Sequence, residues 1–243
     1  MKSTRIKLTE TRCKLKHIGG QQQKNYGGWK ICETGLLLSS KTANSSEDIA
    51  LIYSFGLGTD TSFDEHIIKK YGAIVHGFDP TPGSLKYVFG RAAFLPDCFF
   101  ALHPFGLHDK DGTINLYPPE NPKHISHNQI PRAGARPVAA TLLRLATIMH
   151  LLGHTHIHIL KIDVEGAEFG VLDSLLSLPA TGNGGELPFD QLCVEYHPRL
   201  HPGGPGAGEA AMARITQALR ARGFALVEAN GAREYTYARL ADA

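Results

Sequence analysis

The stretch ALIYSFGLGTDTSFDEHIIKKYGAIVHGFD, residues 50–79, decides the fold. Ala50 to Phe55 is a short apolar run that ends in glycine, the pattern of a strand buried on both faces. Thr61 to Tyr71 follows with Phe63, Ile67, Ile68 and Tyr71 at helical spacing. Ala73 to Phe78 is a second apolar run, and Asp79-Pro80 stops it because proline cannot donate to a ladder. Strand, glycine turn, helix, strand and acid in that order predict a parallel pair joined by a crossover helix.

The pattern continues toward the C-terminus. Pro82 is set to open a helix capped by Thr81 and carrying Leu85, Val88 and Phe89. Cys98 to Leu102 reads as a third strand. Gly106 to Tyr117 reads as a turn at Asp111-Gly112 leading into a short strand. Residues 118–137 are rich in Pro, Asn, His and Ser, and form the longest irregular stretch, of the sort that serves as a lid or binding loop. Val138 to Leu152 reads as one amphipathic helix with Leu142, Leu145, Ala146 and Met149 on a common face, ended by Gly153. His156 to Ile162 is a fourth strand, Ala167 to Leu178 a helix, and Phe189 to Tyr196 a fifth strand. HPGGPGAG, residues 201–208, reads as a flexible connector before a helix over Glu209 to Arg222. Phe224–Glu228 and Glu234–Leu240 are separated only by a turn at Asn230-Gly231, which makes them an antiparallel edge hairpin. The fold class is therefore α/β: a Rossmann-like, mostly parallel sheet with helices on both faces and an antiparallel C-terminal hairpin.

Toward the N-terminus the periodicity stops. Residues 1–49 read as an extended arm, anchored around Trp29, Ile31 and Leu36 to Leu38, ahead of one domain over 50–243. The 243 residues, 42% hydrophobic, supply one sizeable core. The 25 basic and 23 acidic residues nearly balance, giving +2 and no electrostatic reason to expect nucleic acid or an anionic membrane. Lys2, Arg5, Lys7, Arg12, Lys14 and Lys16 make the arm locally basic, a solvated tail or a contact for a protein partner. No stretch approaches the ~20 apolar residues of a membrane span, and the N-terminus lacks a signal-peptide core. The expectation is a soluble chain, cytoplasmic or organellar rather than secreted. Cys98 and Cys193 lie in apolar runs and read as buried small hydrophobes, while Cys13 and Cys32 could pair in an oxidising compartment, which the sequence does not decide.

Four places carry chemistry. Ser54, Phe55, Gly56, Gly58 and Asp60 span the turn after the first strand, where glycine lets a ligand approach backbone and the next helix offers free N–H groups. Asp79, about 20 residues on, holds the strand-end position from which an acid hydrogen-bonds ribose hydroxyls, though it could also cap the following helix. A dinucleotide fingerprint needs a third glycine, and Thr61 stands in its place, which weakens a pyrophosphate ligand and a nicotinamide oxidoreductase. Asp163, Glu165 and Glu168 crowd the point where the fourth strand becomes a helix: Asp163 belongs to the ligand edge, and Glu168 suits the helix dipole. Glu195 and His197 share one face of the fifth strand's end, where His197 could act as a general base. His154, His156 and His158 share a face too, but at the wrong end of their strand for a ligand. No metal-ligand set is visible in the sequence.

KIDVEGAE at 161–168, with YSFGLGTD at 53–60 and VHGFDPTP at 75–82, resembles the FkbM-type methyltransferase family, eukaryotic methyltransferase-like members included. GGWKIC at 27–32 is similar to a segment those members carry before the first strand. The resemblance implies a seven-stranded methyltransferase sheet whose last strand is antiparallel. It implies S-adenosylmethionine as cofactor, with the Gly56–Gly58 loop and Asp79 holding it, Gly106 and Leu107 flanking the adenine, and Asp163 beneath the methionine end. Asp163, Glu165 and His197 would surround an acceptor, a small molecule or glycan-like compound methylated on oxygen. Some members carry an N-terminal membrane anchor that this sequence does not show. The contrasting expectation is a catalytically silent subunit that keeps the fold as a structural component of an assembly.

Overall fold

The structure is a computed structural model that describes residues 13–21, 26–33, 49–91, 93–121, 125–177, 186–231 and 233–239. Its centre is a seven-stranded sheet built from β3 (Leu51–Phe55), β4 (Ile74–Phe78), β5 (Phe100–His103), β9 (Ile157–Ile162), β10 (Phe189–Glu195), β11 (Phe224–Asn230) and β12 (Glu234–Arg239). The spatial order is β11-β12-β10-β9-β3-β4-β5. The order reverses beside β3, which pairs in parallel with both β4 and β9. β12 runs antiparallel between β10 and β11, so the terminal hairpin closes one edge as its turn residues predict.

Among the described residues five helices, numbered α1 to α5, connect these strands: Ser62–Tyr71, Pro82–Phe89, Leu145–Leu152, Glu168–Leu176 and Pro205–Ala221. Two apolar layers result. Ile67, Ile68 and Tyr71 of α1 pack with Val75 and Ile159 on one face of the sheet. On the other, α3, α4 and α5 bury Ile148, Leu172 and Ile215 against Leu160, Leu192 and Tyr237. α1 stops at Gly72, whose left-handed conformation returns its N–H to the Ile68 carbonyl.

Several expectations need correction. Residues 138–152 are not one helix: Val138–Leu143 is a strand, β8, and only Leu145–Leu152 is helical. β8 joins β6 (Gly106–Leu107) and β7 (Gly112–Leu116) in a three-stranded sheet beside the main one. Ala140 and Leu142 are buried while Ala139 and Thr141 face out, a period of two that the helical spacing of Leu142, Leu145 and Met149 conceals. The connector at 201–208 is shorter than expected, because α5 already begins at Pro205. Gly208 is helical there and lets α5 touch the backbone of Pro198. Cys98 is exposed rather than buried, since β5 begins only at Phe100; Cys193 is buried in β10. Phe89 also faces solvent, leaving Val88 to bury α2.

The described part of the N-terminal arm is a hairpin of β1 (Leu15–Gln21) and β2 (Tyr26–Cys32). Leu36 to Leu38 and the basic residues up to Arg12 lie outside the described residues. Ile18, Trp29 and Ile31 enter the α1 layer of the core. Gln191 of β10 clamps Cys32, accepting from its N–H at 2.8 Å and donating to its carbonyl at 2.9 Å. Buried Glu33 accepts from Lys70 at 2.8 Å and Tyr71 at 2.9 Å, and these partners hold its carboxyl down at about 2. Cys13 and Cys32 form a disulfide, Cα atoms 5.0 Å apart, that ties the chain before β1 to the end of β2. Alkylation of denatured, unreduced protein should therefore label two thiols, Cys98 and Cys193, and reduction should add two more and lower the melting temperature. Four labelled thiols without reductant would contradict the pairing.

Candidate active site

The carboxyl ends of β3, β4, β9 and β10 open onto one cleft, because parallel strands of an open sheet deliver their C-terminal loops to the same edge. Gly56 and Gly58 follow β3 with φ of +77° and +55°, the left-handed region that favours glycine. The Gly56 amide donates to the Phe78 carbonyl at 3.0 Å, and the Asp163 amide donates to the Phe55 carbonyl at 3.1 Å. These bonds press residue 56 so closely on β9 that a Cβ there would collide with the Asp163 carbonyl oxygen. At Gly58 a Cβ would meet only the flexible tip of Ile125, 3.3 Å away.

Both oxygens of the Asp79 carboxylate are engaged by neighbouring backbone. Its Oδ1 accepts from the Thr81 amide at 2.9 Å and hydroxyl at 2.6 Å, setting the turn before α2. Its Oδ2 accepts from the Gly58 amide at 3.1 Å, so the carboxylate also reaches the glycine loop. Asp60 lines the cleft and starts α1 by accepting from the Ser62 amide at 2.8 Å. Phe55, Gly106 and Leu107 line the cleft as well, with Leu142 from β8 and Ile125 to Gln129 from the long irregular stretch. An antiparallel bridge between Tyr117 and Asn128 holds that stretch against the cleft. Ser54 is the one expected cofactor residue whose side chain lies elsewhere: it is fully buried outside the lining, facing Asp64 of α1.

The far end of the cleft is acidic. Asp163 follows β9, Glu195 ends β10, and Glu165 sits in a turn with φ of +47°, strained backbone for a residue with a side chain. His197 lies behind them, its side chain 2% exposed. Its Nε2 is 3.5 Å from Glu165 Oε2, 3.6 Å from Glu195 Oε1 and 3.8 Å from Asp163 Oδ1. Burial resists charge on this ring, but Glu168, Glu165 and Asp163 outweigh it and lift His197 to about 9. Burial likewise raises Asp163 above the usual carboxylate range, with Lys161 pulling it down and Glu195 pushing it up; a third of this side chain opens to the cleft, where solvent tempers the rise.

Some residues of this arrangement had no assigned role in the sequence reading. Glu168 begins α4, as its dipole argument requires, but it is also fully buried and functions as a clamp. Its Oε2 accepts from the Gly166 amide and its Oε1 from the His197 amide, both at 2.7 Å. Lys161 is 7% exposed, donates to the Gly56 carbonyl at 3.3 Å and stands 5.9 Å from the Trp29 ring centroid. Burial raises Asp64 to about 6 even though the Lys161 charge draws it down. Trp29, carried in by the hairpin, lines the cleft. Lys161 stood inside the quoted motif, and a lysine in a buried strand was the available signal; Trp29 was read only as an anchor of the arm within the quoted GGWKIC segment. His154, His156 and His158 diverge, to the Tyr53 hydroxyl, Asp190 and the Leu51 amide, and form no common site.

A doubly wound sheet with a ligand cleft at its switch point, glycine loop on one side and acids on the other, defines a Rossmann-like cofactor-binding fold. The sequence profile of the methyltransferase FkbM domain matches residues 43–226, and the chain belongs to that family. It is 28% identical over 163 residues to the human "Probable methyltransferase-like protein 24", an alignment that takes in 67% of this chain and 37% of that relative. The chain thus spans well under half the length of that protein. Among solved structures it is similar to methyltransferase FkbM of Methylobacillus flagellatus KT, with a TM-score of 0.47 and 12% identity, covering 82% of this chain and 47% of that one. The fibrillarin pre-rRNA processing protein of Methanococcus jannaschii gives a TM-score of 0.43 and 10% identity over 79% of this chain and 66% of that one. No helix among the described residues is long and apolar enough to cross a membrane.

The two loop glycines should separate in urea denaturation. Both substitutions strain φ, but Gly56→Ala adds a backbone collision and should cost roughly 1–3 kcal/mol more than Gly58→Ala. Equal losses would mean that the Gly56–Asp163 approach does not constrain the loop.

Proposed function

We propose that this chain transfers a methyl group from S-adenosylmethionine to an oxygen of a small-molecule or sugar-like acceptor. The observation that carries the choice of cofactor is the charge of the cleft. Among its described lining residues Asp60, Asp79, Asp163, Glu165, Glu195 and Glu234 are acids, and Lys161 is the one lysine or arginine. Such a lining repels a dianionic pyrophosphate and favours a cationic ligand. When bound, S-adenosylmethionine supplies an electrophilic methyl group on a positively charged sulfur.

The chain's own residues fit that ligand. Asp79, fixed by Thr81, offers a carboxylate at the ribose position, and Leu107, Leu142 and Ile125 offer an apolar slot for a base. Gly56 and Gly58 keep the loop free of side chains where the ligand's middle would pass. Asp163, Glu165 and Glu195 answer its cationic end. Asp163 and Glu165 also face the open cleft and can take the acceptor's proton. His197 is a poorer base, being buried and already protonated near neutral pH; it offsets part of the charge of the carboxylates around it. Residues 125–129 line the same space and would help exclude water from the reacting end.

Calorimetric titration with S-adenosylhomocysteine, with NAD as the control ligand, tests the reading. We expect micromolar binding of the first and none of the second, with at least about tenfold loss in Asp79→Asn. That substitution preserves an acceptor for Thr81 while removing the charge. A folded chain that binds neither ligand would instead favour a structural subunit built on this fold.

A further inference from the structure

The acidic end of the cleft contains a feature that cofactor binding leaves unexplained. Asp163, Glu195 and His197 each present one donor atom, and the three atoms all lie within 4.8 Å of one another. They come from the ends of adjacent parallel strands, β9 and β10, whose pairing in register fixes their spacing. The imidazole is almost entirely buried, yet its Nε2 makes no hydrogen bond to any described residue. Instead three carboxylates ring it at 3.5, 3.6 and 3.8 Å.

Those distances bear on what the group is built to hold. An imidazolium among carboxylates ordinarily closes to charge-assisted hydrogen bonds of about 2.7–2.9 Å. None of these carboxylates does so. Two ligands about 2.1 Å from one cation, at right angles or wider, stand about 3.0 Å or more apart, the kind of separation seen here. The outer side of the ring is prepared as well. Glu168, fully buried, lies 3.4 Å from His197 Nδ1 and accepts from the His197 amide. Nδ1 itself makes no hydrogen bond to any described residue, and a carboxylate so close favours the proton on Nδ1, which leaves Nε2 to ligate.

We propose that Asp163, Glu195 and His197 form a site for a divalent cation, with Mn²⁺ the ion best matched to a donor set of two carboxylates and one imidazole. The site is open on the side of the cleft, where Asp163 is one-third and Glu195 one-quarter exposed, so water or an acceptor oxygen can complete the coordination. Binding displaces one proton from the ring to solvent. Glu165 lies outside the three-ligand set and remains as the carboxylate that takes the acceptor's proton. The assignment of the ion's use rests on the methyltransferase reading; its binding does not.

Titration of the purified chain with Mn²⁺, followed by the electron paramagnetic resonance of the free ion, reads the site directly. One ion per chain is expected, with binding weakened by about tenfold or more in Glu195→Gln and in Asp163→Asn. Circular dichroism would verify that each variant is folded. Glu195→Gln is the milder change, since it keeps the size of the side chain and removes only its charge. Uptake that is stoichiometric and lost in both variants supports the site whether or not S-adenosylhomocysteine binds, so a failed cofactor titration leaves it standing. No uptake by the folded wild-type chain at about 1 mM Mn²⁺, or uptake unchanged by both substitutions, overturns it.

Discussion

The contact on which the site depends is the approach of Gly56 to the Asp163 backbone. β3 lies between β4 and β9, and the residue that leaves each strand bonds across to its neighbour: Gly56 to Phe78, Asp163 to Phe55. Those bonds leave no room for a Cβ at 56. They also set the glycine loop, Asp79 and Asp163 at fixed positions around one opening. Hydrogen bonds from Gly58 to Asp79 and from Lys161 to the Gly56 carbonyl extend the same constraint to both sides. Strand register therefore sets the floor of the cleft, and residues 125–129 line it from the irregular stretch.

Electrostatics is the second constraint. Four carboxylates, Asp163, Glu165, Glu168 and Glu195, gather around one buried histidine, a costly arrangement that raises the proton affinity of His197 and of Asp163 alike. Lys161 and Arg199 offset part of it, Arg199 from 3.5 Å to Glu165. Strained backbone at Glu165 adds to the cost. Perturbed groups concentrated in a cleft at a sheet's carboxyl edge mark a candidate functional site. The N-terminal hairpin contributes on the opposite wall. Its Trp29 covers Lys161, and its anchor runs through Glu33, Tyr71 and Gln191, which belong to or touch the main fold.

The sequence by itself determined the alternation of strands and helices, because buried parallel strands need continuous apolar runs and their helices need an apolar stripe. It placed β3, α1 and β4 to within a residue, the edge hairpin by its Asn230-Gly231 turn, and the ligand edge by the acids that follow three strands. Only the tertiary structure decided the rest. Leu142 fits a period of two with Ala140 and a helical spacing with Leu145 and Met149, so the local pattern could not separate β8 from α3. The hairpin is pinned by Gln191 and, through Glu33, by Lys70 and Tyr71, partners remote in sequence, and residues 26–32 alone do not announce it. Gly208 reads as part of a flexible linker until packing against Pro198 makes glycine a requirement of a helix. The grouping of Asp163, Glu195 and His197 follows the same logic. Each residue was legible as a strand-end polar group, but the distance between them is set by hydrogen-bonded register between β9 and β10, which exists only once the sheet has formed.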